Sequence, residues 1–224
     1  MTPPATALAS QAGAVAPSAM PTDTSLSDRY DSASGLWADK MRILGYYDGY
    51  LGFLSHWPGR AATPATLLDV GAGTGAMAEA WIAVHGAPPT VTLLDPSASM
   101  LNRAAGALKR RGVAPRLEIS GLEDTSLSPR DVVLAAHVIE HFPDPAEALA
   151  RIAALIAPGG ELWLVVSKPH WCNAIIWLQW RHRTYRPARV QELLEAAGFV
   201  LEDTYAFPAG PPSRTSTGYL ARRL

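Results

Sequence analysis

The chain has little of what a disulfide-bonded, thiolate-metal or nucleic-acid-binding protein needs. Its single cysteine, Cys172, excludes a disulfide framework, a thiolate zinc site and any multi-thiol arsenic chemistry. A net charge of −1 over 224 residues gives no whole-chain field for nucleic acid or an anionic membrane. No run reaches the ~20 apolar residues that span a bilayer. The opening stretch carries no charge before Asp23 and is broken by Pro3, Pro4, Gln11, Gly13 and Pro17. It therefore lacks the basic start and compact apolar centre of a signal peptide. Residues 1–25 read as a disordered tail, and the expected location is cytoplasmic. The length suits one domain with a sizeable core and a short appendage.

Against these absences stands one dense motif. Residues 67–75 read Leu-Leu-Asp-Val-Gly-Ala-Gly-Thr-Gly, and the next apolar run, Thr92-Leu93-Leu94, ends in Asp95. This is a strand, a glycine turn exposing backbone N–H groups, a helix and a second strand closed by a carboxylate. Such an order binds a nucleoside-containing cofactor, with the acid accepting from ribose hydroxyls. Gly71, Gly73 and Ala76 also satisfy the dinucleotide pattern GxGxxA, so a nicotinamide-dependent reductase is an alternative. Asp69 argues against it: a second negative charge before the turn repels a pyrophosphate and favours a ligand with an amino group and a sulfonium.

With Asp69-Val70-Gly71-Ala72-Gly73-Thr74-Gly75 and Asp95-Pro96-Ser97-Ala98-Ser99-Met100-Leu101, residues 60–224 resemble the class I S-adenosylmethionine-dependent methyltransferases of small-molecule type. The resemblance implies adenosylmethionine as cofactor, held by Asp69, Gly71, Ala72, Gly73, Gly75, Asp95 and Pro96. It implies that Ser120–Asp124 lines adenine. The acid expected there falls at Gly121, which leaves the backbone of Leu122 and the side chain of Glu123. Asp95 has a second reading, as a helix cap before Pro96.

The remaining pattern alternates strands and helices. Strands are expected at 66–70, 90–95, 116–120, 131–136, 161–166 (after the Pro158-Gly159-Gly160 turn), 199–207 and 216–223. Helices are expected after Thr74 and over 98–111, 145–156 (capped by Asp144) and 187–197 (ended by Gly198). Alternation implies an α/β, Rossmann-like, doubly wound and mostly parallel sheet of seven strands. The resemblance implies that the last strand is antiparallel. Residues 26–59 read as a helical N-terminal cap, with Gly45, Gly49 and Gly52 dividing it into two pieces.

Around the cofactor turn, Ala136 and His137 leave the fourth strand. A neutral His137 could take a proton from a hydroxyl or amine during methyl transfer, or simply pack against the cofactor. His137-Val138-Ile139-Glu140-His141 matches the inverted zincin pattern, but that motif needs a helix and here prolines follow at once. A metal-assisted RNA 2′-O-methyltransferase is a further alternative, weakened by the absence of a basic surface; an adenosylmethionine-binding module without turnover is another. No metal is expected. The helical cap offers Tyr30 for the cofactor. The insert at 168–186 offers His170, Trp171, Trp177 and Arg181 as an aromatic and basic cover for a small, planar or lipophilic acceptor. The opposing reading is a helix that only covers the core. A weaker functional form has the insert touch a membrane surface.

Overall fold

The computed structural model of the chain describes residues 42–57, 64–171 and 183–224. Seven strands make one sheet in the order β3-β2-β1-β4-β5-β7-β6. The strands are β1 (Thr66–Val70), β2 (Thr90–Asp95), β3 (Arg116–Ile119), β4 (Arg130–Ala136), β5 (Ile156–Ser167), β6 (Phe199–Tyr205) and β7 (Ser216–Arg223). Strands β1 to β5 pair in parallel, with Leu68 opposite both Thr92 and Val133. Strand β7 enters antiparallel between β5 and β6, placing Trp163 opposite Leu220 and Tyr205 opposite Gly218.

The central strands are apolar on both faces because helices cover both faces. Successive residues therefore serve opposite layers. Leu67, Leu93, Leu134, Trp163 and Leu220 join one core with helices α1 (Tyr46–Ser55), α2 (Ala76–His85) and α3 (Ala98–Lys109). Leu68, Leu94, Val133, Leu164 and Tyr219 join the other with α4 (Pro145–Ala154) and α5 (Pro187–Ala196). Three of the chain's tryptophans knit the first layer. Trp163 lies edge-on to Trp57, Trp81 and Phe53, each with ring centroids 5.4 Å apart, and so fastens α1 to the sheet.

The helix starts follow the sequence chemistry. The Asp144 carboxylate accepts from Ala146 N–H at 2.8 Å with Pro145 in the first turn, and the Ser97 hydroxyl accepts from Met100 N–H at 3.2 Å. Ser97, not Asp95, thus caps α3. Gly198 takes φ 83° after α5, as its position after the last turn requires.

Three expectations about elements are corrected. The proline and two glycines at 158–160 are not a turn ahead of the fifth strand. β5 runs from Ile156 through them, with a register irregularity opposite Arg130 and Val132; Ile156 pairs with Arg130 rather than closing α4. The cap glycines do not act alike. Gly45, at φ 79°, begins α1, whereas Gly49 and Gly52 lie inside it. A Cβ at Gly52 would lie 2.7 Å from the Tyr205 hydroxyl, so close packing on β6 demands a glycine there. A short helix that sequence periodicity does not show, α6 (Gly210–Thr215), starts on Pro211 and Pro212. Prolines suit a first helical turn.

Candidate cofactor and catalytic site

Ligands of open α/β sheets bind beyond the carboxyl ends of the strands. There β1 passes into the glycine turn, and Gly71, Gly73 and Gly75 all take positive φ, at 63°, 51° and 80°. Their reasons differ. A Cβ on Gly71 would press Val138 Cγ2 at 2.7 Å, and one on Gly75 would press Ala104 Cβ at 2.8 Å. Around Gly73 the nearest atom is Gly71 O at 4.0 Å. Gly71 and Gly75 let the turn pack; Gly73 leaves open space.

Two acids flank this turn. The Asp95 carboxylate accepts from Gly73 N–H and from Ser97 N–H, both at 2.9 Å. It thereby ties the end of β2 to the turn leaving β1, which Ala72 N–H reinforces by donating to Leu94 O at 3.0 Å. Asp69 is 2% exposed and accepts from Ala78 N–H at 3.2 Å. Burial pushes its carboxyl up to about 8, the Ala78 N–H opposes that shift, and Asp95 adds to it. An acid so placed gains from a ligand bringing positive charge.

In the segment expected to line adenine, Leu122 is buried and Glu123 exposed. The Glu123 carboxyl folds back so that a Cβ on Gly121 would meet its Cδ at 2.8 Å. Glu123 therefore brings a carboxylate close to Gly121, the position where this chain lacks the acid that the family pattern has. Arg151 fixes the backbone there by donating to Glu123 O at 3.0 Å. Pro96 is exposed and Ala136 partly so.

His137 takes φ 58°, the only non-glycine with positive φ among the described residues. Its backbone N–H donates to Val165 O at 2.8 Å. Its Nδ1 lies 2.9 Å from Ser167 Oγ and 3.2 Å from Glu140 Oε1. Glu140 is buried, and Ser167 N–H donates to the same Oε1 at 2.6 Å. Ile139–His141 forms a single 3-10 turn with His141 exposed. His137 and His141 thus do not share a helix face, and the zincin spacing is coincidental.

Two tyrosines of the N-terminal cap, Tyr46 and Tyr50, lie over this rim. Tyr46 meets His137 edge-on, with centroids 5.6 Å apart, and its hydroxyl pairs with Thr215 Oγ1 at 2.9 Å. The Tyr50 hydroxyl is pushed well up, by burial first and then by its neighbours Tyr46, Asp69 and Glu140. Their i, i+4 spacing on α1 is the signal that places both rings on one face. Tyr30, expected in this role, lies outside the described residues, as do Trp177 and Arg181 of the insert.

His170 and Trp171 are described, with ring centroids 5.6 Å apart and Trp171 largely exposed. Both flanks of the insert are held beside the histidine. Lys168 N–H donates to Thr215 O and Tyr185 N–H to Ser167 O, each at 2.8 Å, and Arg183 N–H donates to Glu140 O at 3.2 Å.

A parallel sheet with this glycine turn, one acid before it and one closing the next strand defines a nucleoside-cofactor-binding α/β domain. The inserted antiparallel β7 separates it from the all-parallel dinucleotide order 3-2-1-4-5-6. A family described as a methyltransferase domain matches residues 68–162. Ubiquinone biosynthesis O-methyltransferase of Thiobacillus denitrificans is 36% identical over 104 residues, covering 45% of this chain and 43% of that protein. The protein of the same name from Xylella fastidiosa is 29% identical over 181 residues, covering 70% of this chain and 72% of its own length. The chain thus spans less than half the length of the first of these relatives. Among solved structures, Burkholderia thailandensis 1,6-didemethyltoxoflavin-N1-methyltransferase, with bound 1,6-didemethyltoxoflavin and S-adenosylhomocysteine, superposes with a TM-score of 0.69 at 22% identity, covering 94% of this chain and 93% of that one. The chain carries a class I S-adenosylmethionine-dependent methyltransferase domain, homologous to small-molecule O-methyltransferases.

Proposed function

We propose that the protein transfers a methyl group from S-adenosylmethionine to a hydroxyl of a small aromatic or quinone-like acceptor. When bound, the cofactor supplies a methyl on cationic sulfur, which an acceptor electron pair takes in line as the carbon–sulfur pair returns to sulfur. The chain's own residues supply position and charge. The Gly71–Gly75 turn offers the open space at Gly73; Asp95 meets ribose hydroxyls, and Asp69 the cationic end. Leu122 and Glu123 border the adenine. His137 takes the acceptor proton, while Tyr46 and Tyr50 close the rim against water. His170, Trp171, Trp177 and Arg181 cover the acceptor.

The observation that carries this reading is His137: a histidine in a left-handed backbone, held by Ser167 and Glu140 at the rim beside the cofactor turn. A non-glycine at positive φ costs roughly 1–3 kcal/mol and clusters at functional sites. The relatives' names support oxygen as the acceptor atom. Residues 26–59 serve as cap and 60–224 as the methyltransferase domain, with 168–186 as the acceptor-covering insert. No described helix is long and apolar enough to cross a membrane. No nucleic-acid partner belongs to this reading, because the net charge is −1.

Isothermal titration with adenosylmethionine, S-adenosylhomocysteine and NAD tests the cofactor. The first two should bind and NAD should not; binding of NAD alone overturns the reading. Transfer of a tritiated methyl to a panel of catechols, phenols and hydroxyquinones tests the acceptor class. Labelling confined to amines or nucleic acid overturns that part.

A further inference from the structure

We infer that Glu140, together with Ser167, is a positioning residue that holds His137 as the Nδ1–H tautomer and leaves Nε2 as the proton-accepting atom. This rests on His137 being the base proposed above. Glu140 Oε1 already accepts Ser167 N–H at 2.6 Å. As a carboxylate, Glu140 can only accept through that oxygen. His137 Nδ1 faces this same acceptor oxygen at 3.2 Å. Two lone pairs pointed at each other would repel, so the hydrogen lies on Nδ1, shared between Glu140 Oε1 and Ser167 Oγ at 2.9 Å. A neutral imidazole protonated at one nitrogen is an acceptor at the other.

The backbone enforces this geometry. His137 N–H is bound to Val165 O, and the φ of 58° turns the ring back toward the end of β5. Tyr46 closes the other side edge-on. As the acceptor's O–H bond breaks, its proton forms a bond to Nε2 while the Nδ1 proton stays in place. The resulting imidazolium then faces a buried carboxylate, an arrangement that stabilises positive charge on the ring. A histidine that had to rotate or change tautomer first would lose that advantage.

The test has two readouts. Nitrogen NMR of ¹⁵N-histidine-labelled, cofactor-free protein, with the His137 signals identified by their loss in His137→Gln, should show Nδ1 protonated and Nε2 bare at a pH where the ring is neutral. An Nε2–H tautomer overturns the inference, whether or not any acceptor has been found. Glu140→Gln keeps the oxygen that receives Ser167 N–H and removes the charge. It should lower kcat about tenfold or more, leaving the acceptor KM and the titrated affinity for adenosylmethionine within twofold. An unchanged kcat overturns the positioning role. If Glu140→Gln fails to fold, the tautomer of the unmodified protein still decides. Failure of methyl transfer with every acceptor, alongside the expected tautomer, would fault the proposed function and not the positioning geometry.

Discussion

Replacing Asp69 with Asn should make the cofactor-free protein more stable and its cofactor affinity weaker. Asp69 is 2% exposed, and burial pushes its carboxyl from 3.8 to about 8. One pKa unit is about 1.4 kcal/mol. For an acid with a raised folded value, the native state holds more protons than the unfolded chain between pH ~4 and pH ~8. Stability therefore falls as pH rises through that window and levels off above it. The opposing free energy reaches about 4 kcal/mol at pH 7 and roughly 6 kcal/mol once the carboxyl ionises in the fold. Asn removes this term but buries an amide NH2 that needs a partner, at a cost of about 1–3 kcal/mol. The net gain is about 1–3 kcal/mol at pH 7, a Tm increase of roughly 2–12 °C.

The same acid should release its proton when a cation binds beside it. With a carboxyl near 8, adenosylmethionine affinity should rise about tenfold between pH 6 and pH 7 and flatten above pH 8. Titrations in buffers of differing ionisation enthalpy should show close to one proton released at pH 7. Asp69→Asn should lose both the slope and the proton release. Scanning calorimetry of both proteins from pH 5 to pH 9 decides the stability half. If the Tm difference between them does not widen with pH, Asp69 is already ionised in the fold and the reasoning fails.

Three further outcomes follow from the same contacts. Asp95→Ala removes the acceptor for Gly73 N–H and Ser97 N–H. It should weaken adenosylmethionine binding by about 1.5–3 kcal/mol, and an unchanged titration would take Asp95 out of the site. Gly71→Ala and Gly73→Ala both force alanine into positive φ, at about 1–2 kcal/mol, but only Gly71→Ala drives a Cβ into Val138. Chemical denaturation should therefore show Gly71→Ala the less stable, while Gly73→Ala should retain more stability and bind cofactor poorly; equal stabilities would refute the packing distinction. Glu79 is buried and accepts from Arg111 Nε at 3.1 Å and from Arg42 Nη2 at 2.5 Å, and Arg111 in turn reaches the Tyr47 hydroxyl at 2.7 Å. Glu79→Gln should loosen α1 from α2 and α3, reported by faster amide exchange in α1 with little change in the sheet; uniform exchange would show that the clasp does not hold α1.

Much of the fold was legible along the chain because its signals are local. β1 and β2 are short apolar runs with an acid at the last position or the one before it, and the glycine turn joins β1 to a helix. The caps at Asp144 and Gly198 are set by a few adjacent residues. Where the reading slipped, a distant partner had intervened. Gly52 stays inside α1, where a Cβ would lie 2.7 Å from the Tyr205 hydroxyl of β6, and the glycines at 159 and 160 stay in β5, across from an irregular register in β4. The candidate cofactor residues are local for the same reason: Asp69, Gly71–Gly75 and Asp95 sit within one strand–helix–strand unit. The side-chain partners of His137 come from further off. His137 meets Ser167, 30 residues away, and Tyr46 on a different element. Parallel strands bring those residues together, because parallel pairing aligns the carboxyl ends of β4 and β5 on one rim. The chain's motifs named a cofactor; the packing of β4, β5 and α1 gave one histidine its neighbours.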